Sequence, residues 1–139
     1  MSTQVKVSAV VNAPVENVWK ELRDFTFPAR LISTVESAEG TAVGGARKLK
    51  WKSGESATQV LLELSDIERR AVWETTLAEP DTEVAATIST LHALRITENN
   101  STLLTWSAEF SADVTPDFIK FQHKALQDNL AEIKAHFAH

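Results

Sequence analysis

The stretch Val7-Ser8-Ala9-Val10-Val11-Asn12-Ala13-Pro14-Val15-Glu16-Asn17-Val18-Trp19 changes its period halfway along. Over residues 5–11, Val5, Val7, Ala9 and Val11 fall on one face of a strand. From Pro14 onward, Val15, Val18, Trp19 and Leu22 recur at helical spacing, and a proline suits the first helical turn, where its missing N–H costs little. A strand therefore runs directly into an amphipathic helix, expected over residues 14–23. Residues 25–31 contain Pro28 and leave room only for a short second helix.

Beyond this pair the chain reads as strands. Residues 33–39 end at Gly40, the Gly44-Gly45 turn leads into 46–52, and Gly54 closes that third strand. Residues 58–65 carry Val60, Leu62 and Leu64 in one phase, and after a turn at 66–68 a fifth strand covers 69–77. A loop at Glu79-Pro80-Asp81 precedes a long strand over 84–97, a hairpin turn at 98–101 and a partner strand over 102–112, seven strands in all. The final helix has Thr115 as cap, Pro116 at its first position and Asp117 complementing its dipole, and runs to the C-terminus. Phe118, Ile119, Phe121, Ala125, Leu126, Leu130, Ile133 and Phe137 give it an apolar stripe that must lie on a sheet or another helix.

Composition narrows the function. The 139 residues suit one domain over 1–139 with a sizeable core. A net charge of -5 and a pI near 5.3 speak against a sequence-independent grip on phosphates, so nucleic acid is not an expected partner. The absence of cysteine removes disulfides, thiolate nucleophiles and sulfur-based zinc sites, and the cytoplasm is the expected location. No apolar run approaches the ~20 residues a membrane span needs. The overlapping sequons at Asn99 and Asn100 read as turn residues.

The element order, with the motif Ala13-Pro14-Val15-Glu16-Asn17-Val18-Trp19, resembles the birch-pollen-allergen-like, START-related (SRPBCC) superfamily, which includes the polyketide cyclase/dehydrase group. Asp24-Phe25, Gly45-Ala46-Arg47, Asp66, Trp73 and Thr105-Trp106 match in the same order along essentially the whole chain. The resemblance implies an α+β helix-grip fold: a curved seven-stranded antiparallel sheet wrapped around a long C-terminal helix, with two short helices between strands 1 and 2. It also implies a cavity for an apolar or amphipathic small molecule, used by carriers, receptors and enzymes alike, so the fold does not choose among them.

Strand periodicity assigns the inner faces. Leu104, Trp106, Ala108 and Phe110 share one phase of the last strand and face inward. The same reasoning turns Ile88, Thr90, His92, Leu94 and Ile96 inward on the sixth strand, Ala71, Trp73, Thr75 and Leu77 on the fifth, and Arg47, Leu49 and Trp51 on the third, with Lys48, Lys50 and Lys52 in solvent. With Val60 and Leu62 of the fourth strand and Phe118 and Gln122 of the last helix, these supply the candidate ligand-binding residues: Arg47, Leu49, Trp51, Val60, Leu62, Trp73, Thr75, Thr90, His92, Leu94, Trp106, Phe118 and Gln122. Such an apolar lining with a few polar groups suits a small organic ligand.

Two of these groups carry chemistry. An inward guanidinium costs several kcal/mol unless paired, so Arg47 either meets an anionic ligand group or sits at a wet rim. In the resembling family the fourth strand often carries an inward Glu where this chain has Val60, which leaves Arg47 without that counter-ion. His92 is either a proton exchanger inside the cavity or a hydrogen-bonded structural residue. Trp19 is assigned to the core; His123 to the cavity mouth or the surface; His136 and His139 to the last turn.

The sequence has no nucleophile elbow, phosphate-binding glycine loop or His-Glu-x-x-His motif, and Glu63, Glu74 and Glu109 fall on outward phases. No cofactor or metal is expected. The leading function is binding or transport of a hydrophobic or amphipathic ligand, lipid or polyketide-like. The alternatives are a polyketide aromatase/cyclase-like enzyme in which Arg47, His92 or Thr90 assists proton transfer, and a co-chaperone-like interaction module with an exposed apolar patch.

Overall fold

The two halves of the opening stretch form β1 (Thr3–Val11) and α1 (Val15–Leu22), with Pro14 as the residue that leads into the helix. The structure is a computed structural model and describes residues 3–40, 45–79, 87–110 and 114–138. Next come α2 (Pro28–Leu31), β2 (Val35–Glu39), β3 (Ala46–Trp51), β4 (Ser56–Ser65), β5 (Arg70–Glu79), β6 (Thr87–Ile96), β7 (Ser101–Phe110) and α3 (Pro116–His136). Residues 80–81 of the expected loop, 84–86 of the sixth strand, 111–112 of the seventh, Gly44 and His139 lie outside the described residues.

Strands β2 to β7 meander, each pairing with the next, and β1 adds to β7 to give the antiparallel order β1-β7-β6-β5-β4-β3-β2. The helical interruption removes the chain from the sheet after β1, so β1 cannot pair with β2. Helix α1 buries Val15, Val18, Trp19 and Leu22, the face its sequence spacing marks. Asp66, in the β4–β5 turn, fixes that helix: it accepts Trp19 Nε1 at 2.8 Å and both Nε and Nη2 of Arg23. Trp19 is thus a core residue with its one polar atom satisfied, as expected.

After α1, Asp24 accepts from the Thr26 backbone at 2.9 Å and hydroxyl at 2.7 Å, a local turn that competes with helix continuation. The turn sends Phe25 and Phe27 into the core. Helix α3 is capped as expected, the Phe118 N–H donating to Thr115 Oγ1. Its buried residues, Leu126, Leu130 and Ile133, lie from its midpoint onward, while Phe118 and Ile119 are half-buried and Phe121 is exposed. Glu132 ties that second half to the α2–β2 junction by accepting from the backbone and hydroxyl of Ser33, both at 2.6 Å.

Directly opposed residues share a face, so the pairing register decides what points inward. On β1, β3 and β7 the expected phases hold: Val5, Val7, Val11, Arg47, Leu49, Leu104, Trp106, Ala108 and Phe110 are buried. On β6 the phase is the opposite of the expected one. Trp106 opposes Leu91 and Leu104 opposes Ala93, which puts Ser89, Leu91 and Ala93 inside and Ile88, Thr90, His92, Leu94 and Ile96 on the outer face. Leu94 is accordingly 44% exposed. β6 carries apolar residues on both phases, and the larger ones occupy the outer.

On β4 the register shifts between Leu61 and Glu63. The extra residue flips the phase. Leu64, opposite Ala71, packs against the core as expected, but beyond the shift Leu61 and Gln59 face in, Val60 turns out, and Leu62 is 47% exposed. A second shift between Thr58 and Gln59 accompanies Leu77, which is 68% exposed rather than inside.

Candidate functional site

One row of the inner face is polar. Arg47 on β3 opposes Gln59 on β4, Gln59 opposes Thr75 on β5, and Thr75 opposes Thr87 on β6. Arg47 Nε donates to Gln59 Oε1 at 2.7 Å, and Gln59 Nε2 donates to Thr75 Oγ1 at 3.1 Å. Because the Thr75 oxygen accepts from the amide, its hydroxyl proton is directed elsewhere. The row therefore ends in a half-buried donor.

Arg47 is 1% exposed. Its Nη1 donates to the Phe25 carbonyl at 2.7 Å, and its guanidinium carbon lies 3.9 Å from the Phe25 ring centroid and 4.7 Å from that of Trp73. No carboxylate pairs with it among the described residues. Hydrogen bonds from a charged donor contribute about 1.5–3 kcal/mol each and a ring face about 0.5–2 kcal/mol, the same size as the several-kcal/mol cost of desolvating the cation. The charge is thus tolerated without being neutralised. Burial pulls the guanidinium down from its ordinary range to about 9, which leaves it a cation at neutral pH.

Aromatic rings form the floor behind this row. Trp73 meets Trp106 edge-on at 5.7 Å and Phe25 at 6.0 Å, and Phe27 contacts both tryptophans. The indole Nε1 of Trp106 is buried and has no partner among the described residues. Leu49 is buried beside Arg47 on β3, and Trp51 is half-buried at the strand end. Across the sheet, Phe118 of α3 stacks edge-on with Phe110 at 5.1 Å, and Gln122 is half-buried one turn further along.

The structure thus brings Arg47, Leu49, Trp73, Thr75 and Trp106 to one surface, with Trp51, Phe118 and Gln122 half-buried on β3 and α3. It does not bring Val60, Leu62, Thr90, His92 or Leu94 there, because the β4 bulge and the β6 register place them outside. His92 hydrogen-bonds through Nε2 to the Glu68 carbonyl at 2.9 Å, a structural role. The inward position on β4 is Gln59 and not Val60, so an amide stands beside Arg47 where the resemblance implied a carboxylate. Gln59, Phe25, Phe27 and Ser89 escaped sequence reasoning. Gln59 was within reach, since the tight β3–β4 hairpin pairs Lys50 with Ser56 and counting back sets Arg47 against Gln59.

No group of His, Asp or Glu that could hold a metal occurs among the described residues. No helix among them is long and apolar enough to cross a membrane.

A curled antiparallel sheet gripping one long helix, with a buried cation on its inner face, defines a helix-grip protein of the birch-pollen-allergen-like class. The chain belongs to the family described as polyketide cyclase / dehydrase and lipid transport, whose pattern it matches over residues 2–138. It is similar to a solved protein of Nitrosospira multiformis, with 27% identity, TM-score 0.84, and 98% of this chain and 97% of that one covered. A Bacillus thuringiensis protein aligns at 24% identity and TM-score 0.86 over 99% of this chain and 100% of that one. The structure of Ara h 8.0201 has the same fold at 10% identity, with TM-score 0.79 and 99% and 98% coverage. No curated protein matches the sequence.

Proposed function

We propose that this protein binds a hydrophobic or amphipathic small molecule between the inner sheet face and the first half of α3, with an acceptor-bearing end of the ligand directed to the Arg47–Gln59–Thr75 row. The observation that carries this reading is a buried guanidinium held by an amide, a carbonyl and ring faces, with no carboxylate to neutralise it. Such a site favours a carboxylate, enolate or phenolate, because the cation is already desolvated and positioned. The unpartnered Trp106 Nε1 supports the same reading, since a ligand acceptor would satisfy a donor that otherwise costs about 1–3 kcal/mol. Half-burial of Phe118, Ile119 and Gln122, against full burial further along α3, leaves that half of the helix to contact a ligand.

The family description embraces both chemistry and transport. For a cyclase-like enzyme, His92 and Thr90 on the outer face are out of reach of the interior, which leaves Arg47 and the Thr75 hydroxyl. Binding without turnover is therefore the better-supported function. The test is native mass spectrometry with thermal shift against fatty acids, flavonoids and aromatic polyketides. A one-to-one adduct that raises the melting temperature, weakened at least tenfold by Arg47→Met for acidic ligands and unchanged for neutral ones, is the expected result. If no compound in any of the three classes binds, the reading fails.

A further inference from the structure

At the β1 edge of the sheet, a groove of about 440 Å³ runs between β1 and α3. One wall is Lys6, Val7, Ser8 and Ala9; the other is His123, Gln127, Leu130, Ala131 and Lys134, a single stripe of the helix. β1 is the terminal strand of the sheet and pairs on one side only, with β7. Its other edge therefore presents backbone N–H and C=O groups that no strand among the described residues takes up.

From His123 to Lys134 the helix rises ~16 Å, which matches about five residues of extended peptide at ~3.3 Å each. The chemistry of the walls is specific. Val7, Leu130 and Ala131 provide an apolar floor, whereas Lys6 and Lys134 are exposed, form no ion pair among the described residues, and no carboxylate lines the groove. In a chain of net charge -5 this is a local concentration of positive charge.

We propose that this groove is a docking site for an extended acidic peptide segment of a partner protein, which adds as a strand to β1 beneath α3. Side chains alternate along an added strand, so its inward positions are small and apolar against Leu130 and Ala131, and its outward positions carry Asp or Glu facing Lys6. Lys134 and His123 meet carboxylates at the two ends. A second copy of this chain fits poorly, because pairing β1 with β1 would bring the Lys6 residues of the two copies onto one face.

The test uses a fluorescein-labelled Glu-Val-Glu-Val-Glu peptide on the intact protein, followed by anisotropy and by amide hydrogen exchange. The peptide should bind with a Kd on the order of 10 µM, the Lys-Val-Lys-Val-Lys peptide should not, and exchange should slow at residues 6–9. The double variant Lys6→Glu/Lys134→Glu, which alters only exposed side chains, should weaken binding at least tenfold while circular dichroism stays unchanged. Methylation of alternate peptide nitrogens, which keeps every charge but removes the donors facing β1, should do the same. Equal binding of the methylated peptide, no protection at residues 6–9, or a dimer in sedimentation that Lys6→Glu dissolves would each overturn the proposal.

Discussion

Phe25 holds Arg47 twice: its carbonyl accepts from Nη1 at 2.7 Å, and its ring centroid lies 3.9 Å from the guanidinium carbon. One residue in the turn after α1 thus provides both the polar and the π contact for a cation on β3. Arg47→Met keeps the volume and removes the charge, so lost hydrogen bonds and relieved desolvation oppose each other. Its stability in urea should lie within about 2 kcal/mol of wild type. Arg47→Ala adds a cavity and should cost about 2–5 kcal/mol.

The same comparison has a pH signature. Arg47 has its folded value at about 9, well below its value in the unfolded chain, so between them the unfolded chain holds a proton that the native one releases. Stability attributable to this group then rises with pH inside that window and is flat below it. The wild-type-minus-Met difference should be constant from about pH 6 to 8 and move in favour of wild type above about pH 9. A difference flat to about pH 11 would mean the guanidinium stays charged in the interior.

Asp66 behaves in the opposite sense. The Arg23 hydrogen bonds, then that of Trp19, hold its carboxyl below the usual value of 3.8. The stabilisation it gives is present above that value and fades as pH falls through the folded one. Asp66→Asn keeps an acceptor for Trp19 Nε1 and should be milder than Asp66→Ala at pH 7. Asp66→Asn should converge on wild type at about pH 2, as the carboxyl is protonated, whereas Asp66→Ala, which offers Trp19 no acceptor, should stay less stable than both, read by denaturant unfolding of the tryptophan fluorescence.

Two glycines separate backbone strain from collision. Gly40 has φ +110 and a Cβ there would lie 2.0 Å from the Ala46 carbonyl oxygen, whereas Gly54 has φ +97 with open space around it. Gly54→Ala should cost about 1 kcal/mol and Gly40→Ala clearly more, because β3 must shift to make room. Equal midpoints in urea for the two variants would contradict this.

Ligand binding should follow the inner face. Trp106→Phe removes the buried indole donor while keeping most of the ring, and should weaken an acceptor-bearing ligand about five- to tenfold. His92→Ala, on the outer face, should leave affinity unchanged and cost about 1 kcal/mol through loss of its bond to Glu68. Titration by tryptophan fluorescence reads both.

Several of these residues could be placed before any coordinates. β7 alternates cleanly, with Leu104, Trp106, Ala108 and Phe110 against Thr105, Ser107 and Glu109, so its burial follows from period alone. β6 does not, but the hairpin that joins the two strands pairs Ile96 with Ser101, and that arithmetic sets Leu91 against Trp106. Turn length outranks side-chain size there. The bulge near Leu62 has no comparable marker, since no glycine or proline flags it, and Val60 and Leu62 look as good as any inward pair. Arg47 was legible as an unusual inward cation; its partners Gln59 and Phe25 depend on tertiary closure.

The pairing of Thr3 with Phe110 and Val11 with Thr102 also sets an order of events in time. A chain leaving the ribosome exposes its first strand long before the seventh exists to receive it, and α3, which covers both, is made later still. Hairpins from β2 to β7 can form as they emerge, yet the Val5–Val7–Val11 face has to wait through most of synthesis without a neighbour. Closing of the sheet is therefore gated by the synthesis of β7 and α3, and truncation before residue 110 should leave an aggregation-prone apolar strand.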